Sequence, residues 1–282
     1  MAEKNYKELA RKCRLKVLSM IHNAGTSHIA SNFSIIDVAT VLYKNLKKED
    51  KVVWSKGWVA ATIYYFLAQQ GTIPEEDLDK FGKEIDGHIP YLGLVETTTP
   101  GIYANAGSMG HGLPIACGMA LAKKLKGEPG NIYCIISDGE MNEGTCWEAA
   151  MFAKHNRLNN LIVFVDANKW QAMGKTSEVL DLESIENIWQ GFGWKVARID
   201  GHDFDQIEAS LTEDFDFHID MHLANHAQLT NPVEMNVKDK PLVIICDTIK
   251  GKGVSFMEDH LLYHYKHVST EDYELAKEEL CK

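Results

Sequence analysis

The chain has 282 residues, room for one large α/β domain or two small ones, with an ordinary hydrophobic share of 45%. Its formal net charge is -11 and no long Lys/Arg run interrupts it. That argues against nucleic acid or an anionic membrane as the main partner, because counterion release needs clustered basic residues. The amino terminus, Met1-Ala2-Glu3-Lys4-Asn5, has no apolar signal region, and the longest apolar runs are of strand length, so no membrane span is expected. The six cysteines (Cys13, Cys117, Cys134, Cys146, Cys246, Cys281) form no CxxC pair, and several lie in apolar runs. They read as core residues of a protein in a reducing, cytoplasmic compartment.

Residues 5–22 carry apolar side chains at helical spacing, with Leu9, Cys13, Val17 and Met20/Ile21 on one stripe. Gly25-Thr26-Ser27 breaks it; Ile35–Leu46 and Val59–Ala68 predict two more helices. From Phe81 to Gly112 there is little periodicity, and a stretch that long inside a compact domain is more often functional than idle. Pro114 suits the start of a helix that runs to Leu125. Ile132–Ile136, Leu161–Val165, Trp194–Ile199 and Leu242–Cys246 read as apolar strands, with a helix over Gly144–Asn156. Residues 212–238 are polar and irregular and read as an excursion; 259–282 form a tail with a helical piece, Asp272–Leu280. The expectation is a single α/β domain over 1–282, its parallel sheet covered by helices on both faces.

The chemistry gathers where two of these strands end. Ile132–Ile136 runs into Ser137-Asp138-Gly139-Glu140, and Leu161–Val165 into Asp166-Ala167-Asn168-Lys169-Trp170. A right-handed strand–helix–strand crossover brings both ends to one edge, so Asp138 and Asn168 become neighbours although 168 − 138 = 30 positions apart. A carboxylate, an amide oxygen and a backbone carbonyl are hard donors, too few to cage Mg²⁺ alone but suited to an ion completed by phosphate oxygens and water. Gly139 lets backbone approach a diphosphate. On spacing alone, a β-turn at Asp138-Gly139 and a loop asparagine at Asn168 stay open as the alternative.

Asp138-Gly139-Glu140-Met141-Asn142-Glu143-Gly144, followed by Asn168, resembles the thiamine diphosphate motif in the form that transketolases carry. Four further segments resemble the same family in the same order: Ser55-Lys56-Gly57, its SKGH motif; Pro100-Gly101 with Ala106 to Leu113, its PG…TGSLGQGL loop; Phe192-Gly193-Trp194 with Asp200-Gly201-His202-Asp203, its FGW…DGHD segment; and Thr248 to Glu258, its TxKGKGVSFME. The resemblance implies a thiamine-diphosphate-binding fold, with Asp138, Asn168 and the Trp170 carbonyl as ligands of Mg²⁺ (or Ca²⁺ or Mn²⁺). It implies Gly139 against the diphosphate, Lys250 and His264 near cofactor or substrate, and Gly107, Ser108 and Met109 meeting the aminopyrimidine through backbone groups. His28 and His88 match histidines that contact substrate hydroxyls and intermediates, with Ser31 beside them. Glu143 falls where the family has a subunit-interface glutamate. The reaction implied is transfer of a two-carbon unit from a ketone donor, a ketose or keto acid, to an aldehyde acceptor.

Full-length transketolases continue into a pyrimidine-binding domain, so the resemblance implies a second subunit that carries it and a two-plus-two heterotetramer. The pattern also departs from the family: Trp58 replaces the histidine of SKGH, His111 the usual glutamine, and Tyr265 the glycine after His264. Trp58 is expected to weaken use of ordinary ketose phosphates. The rival readings are the α subunit of a 2-oxoacid dehydrogenase, against which the SKG and TIKGKGVSFME segments argue, and a non-catalytic relative, against which Asp138, Asn168 and Glu143 argue. Other motifs fail. No GxGxxG follows a strand; Lys169 stands at the first glycine of a P-loop ending Gly174-Lys175-Thr176; and Ile219 sits where the catalytic glutamate of His218-Ile219-Asp220-Met221-His222 would be needed.

Overall fold

The computed structural model describes residues 5–106, 109–212 and 239–282. Helix α1 (Tyr6–Ala24) begins where the Asn5 side chain accepts from the Glu8 N–H and ends at a left-handed Gly25. Helix α2 (Ile29–Asn45), strand β1 (Lys51–Trp54), helix α3 (Ala60–Gln69) and a 3₁₀ turn (Glu75–Lys80) follow. Next come α4 (Gly112–Lys126), β2 (Ile132–Ser137), a second 3₁₀ turn (Gly139–Asn142), α5 (Gly144–His155) and β3 (Leu161–Ala167). The remainder comprises α6 (Thr176–Val179), α7 (Ile185–Gly191), β4 (Lys195–Asp200), α8 (Phe204–Ser210), β5 (Leu242–Asp247), α9 (Leu262–Tyr265) and α10 (Thr270–Leu280).

The five strands form one parallel sheet in the order β1-β2-β3-β5-β4. From β1 through β4 the chain steps in one direction across the sheet, so right-handed crossovers lay α4, α5 and α7 on one face. There they bury Ile132, Cys134 and Ile136 of β2, together with Trp189 and Trp194. The return step from β4 to β5 reverses direction and puts α8 on the other face, with α1, α2 and α3, over Tyr133, Ile135, Phe164 and Ile244. Helices therefore cover both faces, and alternate residues of each strand feed different cores.

Helix α2 starts at Ile29, six residues before the expected Ile35. Fifteen of its residues are buried, from Ile29 to Tyr43, so no polar stripe marks its amino-terminal half. Strand β1, at four residues, and the seven-residue helices α7 and α8 are too short for periodicity to mark them. The excursion expected over 212–238 lies, apart from Thr212, outside the described residues. Five cysteines are buried and Cys281 is exposed, all with free thiols. No helix among the described residues is long and apolar enough to cross a membrane.

Candidate functional site

Parallel strands end on one edge, and that edge carries Lys56 after β1, Asp138 after β2, Asn168 after β3 and Lys250 after β5. Asp138 is buried; one carboxylate oxygen accepts from the Gly139 N–H at 2.8 Å and the other from the Lys169 N–H at 2.6 Å. The second bond ties the β2 end to the β3 end, so the two predicted ligands share one cluster. Asn168 is buried beside it, its Nδ2 donating to Asp166 Oδ2 at 3.2 Å and its Oδ1 accepting from the Trp170 N–H at 3.1 Å. That pair of bonds fixes which way the amide faces. Burial, with Asp166 close by, pushes the Asp138 carboxyl up to about 7. A buried carboxylate held against another acid favours a cation nearby, and the donors are hard oxygens, so the residues fit Mg²⁺. Among the described residues no cluster of three His, Cys, Asp or Glu could hold a metal. Gly139 lines the cavity, and a Cβ there would come within 2.7 Å of Gln171 Cγ.

Behind these residues Asp166 is completely buried and gathers four elements. Ser34 of α2 donates to it at 2.7 Å; Thr248, Lys56 and Asn168 are its other partners. Burial alone would raise its pKa, but the Lys56 charge and the bonds from Lys56, Thr248 and Ser34 outweigh that and keep it lowered. Lys56 Nζ also donates to the Ser31 carbonyl at 3.0 Å. Lys250 is buried with its Nζ 2.7 Å from His264 Nδ1, and burial with Lys56 nearby lowers it to about 8.

His28 and His264 meet above the lysines. The His28 N–H donates to the His264 carbonyl at 3.1 Å, and the ring centroids are 4.8 Å apart. His28 has φ 71°, a left-handed conformation unusual outside glycine and frequent at functional sites. Burial, then the charges of Lys250 and Lys56, lowers His28 to about 4; burial, Lys250 and His28 lower His264 to about 3. Both imidazoles are therefore neutral at pH 7, able to donate and accept hydrogen bonds.

One cavity of about 460 Å³ is lined by His28, Ser31, Met109, Gly139, Asn168, Trp170, Lys250 and His264. The described residues thus bring most of the predicted site together. His88 is exposed on a turn bridged from Ile85 and does not line this cavity. Glu143 is exposed at the cap of α5. Gly107 and Ser108 lie outside the described residues. Three participants were not singled out from the sequence. Lys56 stood within a quoted motif; Asp166, the one acid in an apolar strand, was a signal that a buried partner must exist. Glu140 is fully buried, accepts from Ser55 Oγ and from the Gly110 N–H at 2.8 Å, and so anchors the loop before α4.

Trp58 stacks on His28 with centroids 4.9 Å apart and planes 14° from parallel. Tyr265 donates its hydroxyl to the Ala172 carbonyl at 2.6 Å and its ring lies 4.7 Å from that of His264. Beyond His28, Trp58 and Tyr265 lies a second cavity of about 380 Å³, lined by no lysine, arginine or acid. Two of the three residues that depart from the transketolase pattern, Trp58 and Tyr265, therefore form a shared wall, whereas His111 lines neither cavity.

The sequence model of the family described as "Transketolase, thiamine diphosphate binding domain" matches residues 5–281. The chain is 37% identical over 282 residues to the 6-deoxy-6-sulfo-D-fructose transketolase subunit of Clostridium sp., covering 95% of this chain and 94% of that protein. To one of the subunits of the apulose-4-phosphate transketolase of Phocaeicola vulgatus it is 32% identical over 286 residues, covering 97% and 92%. The transketolase of Campylobacter jejuni has the same fold, with a TM-score of 0.84 at 26% identity, covering 100% of this chain and 43% of that one. This chain spans less than half of that transketolase. These matches favour the transketolase reading over the dehydrogenase one. With a family match along nearly its whole length and the strand-end cluster in place, the chain belongs to the transketolase family as its thiamine-diphosphate-binding domain.

Proposed function

We propose that this chain, as a single diphosphate-binding domain, is one subunit of a cytoplasmic transketolase-type transferase, of the class moving two-carbon ketol units from a ketose or keto acid to an aldehyde. The observation that carries this is the convergence of Asn168, Lys250, His28 and His264 on one cavity at the carboxyl edge of the sheet, with Asp138 tied to the same edge through the Lys169 N–H. Asp138, Asn168 and the Trp170 carbonyl would hold Mg²⁺, or another divalent ion, against the diphosphate of the cofactor. Gly139 would let backbone approach it, and Lys56 and Lys250 would balance its charge. Thiamine diphosphate, when bound, supplies the carbon centre that cleaves and forms C–C bonds. His28 and His264, neutral and rigidly paired, would orient substrate hydroxyls and move protons at them. Gly107, Ser108 and Met109 are assigned to the pyrimidine, His88 to substrate hydroxyls and intermediates, and Glu143 to the subunit interface. The partner subunit would carry the pyrimidine-binding domain, in a two-plus-two heterotetramer. Both relatives quoted above are named as subunits, which supports a partner.

The wall of Trp58 and Tyr265 supports an altered donor preference, because an indole cannot accept or exchange a proton as the motif histidine can. The deciding experiment is a donor–acceptor screen on the chain co-expressed with its partner, with Trp58→His in parallel. The variant is expected to gain about 100-fold or more in kcat/KM for xylulose 5-phosphate, within the range a positioned acid–base group supplies. Wild-type turnover of that donor at the variant's level would remove the specificity reading. No two-carbon transfer with any donor would remove the transferase reading itself.

A further inference from the structure

The segment Asp200-Gly201-His202-Asp203 sits at the end of edge strand β4, and none of its residues lines the cofactor cavity. Its histidine nevertheless bridges two elements that do reach the site. His202 Nε2 accepts from the Ile249 N–H at 2.8 Å, and its Nδ1 lies 2.7 Å from Asp37 Oδ2 on α2. A backbone N–H can only donate, so Nε2 carries the lone pair and the ring proton sits on Nδ1, donated to Asp37. Geometry alone therefore fixes the tautomer.

Asp37 is held in turn by Arg14 of α1 through a two-pronged pair, both bonds at 2.8 Å and both side chains buried. The remaining Arg14 arm, Nε, donates to the Lys252 carbonyl at 2.9 Å. The buried group thus grips one loop at two points: Ile249, one residue before Lys250, and Lys252, two residues after it. Two more bonds complete the hold, from the Gly251 N–H to the Ala30 carbonyl and from the Asp259 N–H to the Lys250 carbonyl, both at 2.9 Å. Gly251 has φ 85°, and a Cβ there would collide with the Met257 carbonyl, so no other residue fits this turn. A lysine side chain is long and loses much rotamer freedom when fixed, so where its nitrogen ends up depends on how firmly its backbone is held.

We propose that His202, backed by Asp37 and Arg14, is a positioning residue that sets the backbone of the Ile249–Lys252 loop so that the Lys250 ammonium is presented to the cofactor diphosphate beside His264. This rests on the reading of Lys250 given above. The ring offers an unusually clean test, because each nitrogen has its own amide mimic. His202→Asn places an N–H where Nδ1 was, keeping the bond to Asp37 and losing the acceptor for Ile249. His202→Gln places an oxygen near Nε2, keeping the tie to the loop and losing the donor to Asp37.

The three proteins, each co-expressed with the partner, are compared by calorimetric titration with Mg²⁺–thiamine diphosphate, by thermal midpoint and by kcat and KM. His202→Asn is expected to weaken cofactor binding about tenfold, the scale of one lost hydrogen bond, while His202→Gln stays within about threefold of wild type. Both variants are expected to lower the midpoint alike, so stability by itself does not produce the ordering. Equal cofactor affinity for the two variants, or an Asn variant that binds as wild type does, overturns the proposal. Should His202→Asn fail to fold, Arg14→Lys carries the test: it keeps a cation for Asp37 and drops the bond to Lys252, and unchanged affinity there also overturns it. Lys250→Met separates this from the reading beneath. If that variant binds and turns over normally, Lys250 has been misassigned; if it is impaired while His202→Asn is not, only the positioning proposal falls.

Discussion

Asp138 holds two backbone N–H groups, one from each side of the crossover, and carries the carboxylate assigned to the metal. Asp138→Ala is expected to leave the fold intact and to weaken metal-dependent binding of thiamine diphosphate on the order of 100-fold, since charged hydrogen-bonded contacts are lost together. Calorimetry with and without Mg²⁺, with the partner present, measures this; wild-type affinity in the variant would show that the metal lies elsewhere. His28 gives a separate pH signature. Its pKa falls from the usual 6.5 to about 4, so the folded chain binds fewer protons than the unfolded one between those values. Stability from this group is present above about pH 6.5 and is lost as pH falls towards 4. The whole effect is at most about 3 kcal/mol. His28→Asn, chosen because Asn accepts a left-handed backbone, should flatten that acid limb of the unfolding free energy. Parallel curves for the two proteins would mean that His28 is not the group responsible.

Helix α2 shows at the scale of an element why some helices are legible and others are not. It is wrapped by α1, α3, α8 and the sheet, and it delivers Ser31 and Ser34 to the site from its first two turns. Ile36 is fully buried within it. Ile36→Ala should cost about 2–5 kcal/mol, because the cavity left behind cannot collapse in a packed interior. Leu275 on the amphipathic α10 is half exposed, and Leu275→Ala should cost under about 0.5 kcal/mol. Urea unfolding of the two variants distinguishes a buried helix from a surface one; equal losses would contradict the placement. Helix α10 carries a stripe and a Ser269 cap, and its expected start at Asp272 lies two residues from Thr270. The burial of α2 on every side erased the equivalent signal.

At the scale of the whole molecule, the proposed function has the site completed by a partner subunit. The cavity opens past Met109 and Trp58, both exposed, and Glu143 stands exposed at the cap of α5. The proposed role gives the pyrimidine-binding domain to the partner. The isolated chain with excess thiamine diphosphate and Mg²⁺ is therefore expected to show carboligation at least about 100-fold below the reconstituted complex, the scale of one positioned acid–base group. Robust turnover by the chain alone, across several donors, would defeat the partner requirement.

Local patterns determined much of this by themselves. Apolar runs separated by helical ones specify a parallel sheet, and parallel strands end on one edge, which brings the Asp138 and Asn168 loops to the same side of the sheet. The ordered motifs along the chain named the cofactor. Tertiary structure alone decided which charges are paired. Asp166 draws partners from α2 and from the ends of β1 and β5, and His202 joins residues 165 and 47 positions away in sequence. It also decided that Trp58 and Tyr265 form one wall and that His88 stands apart from it. Such pairings depend on burial and distance between elements far apart in the chain, and neither is written in the spacing of residues along it.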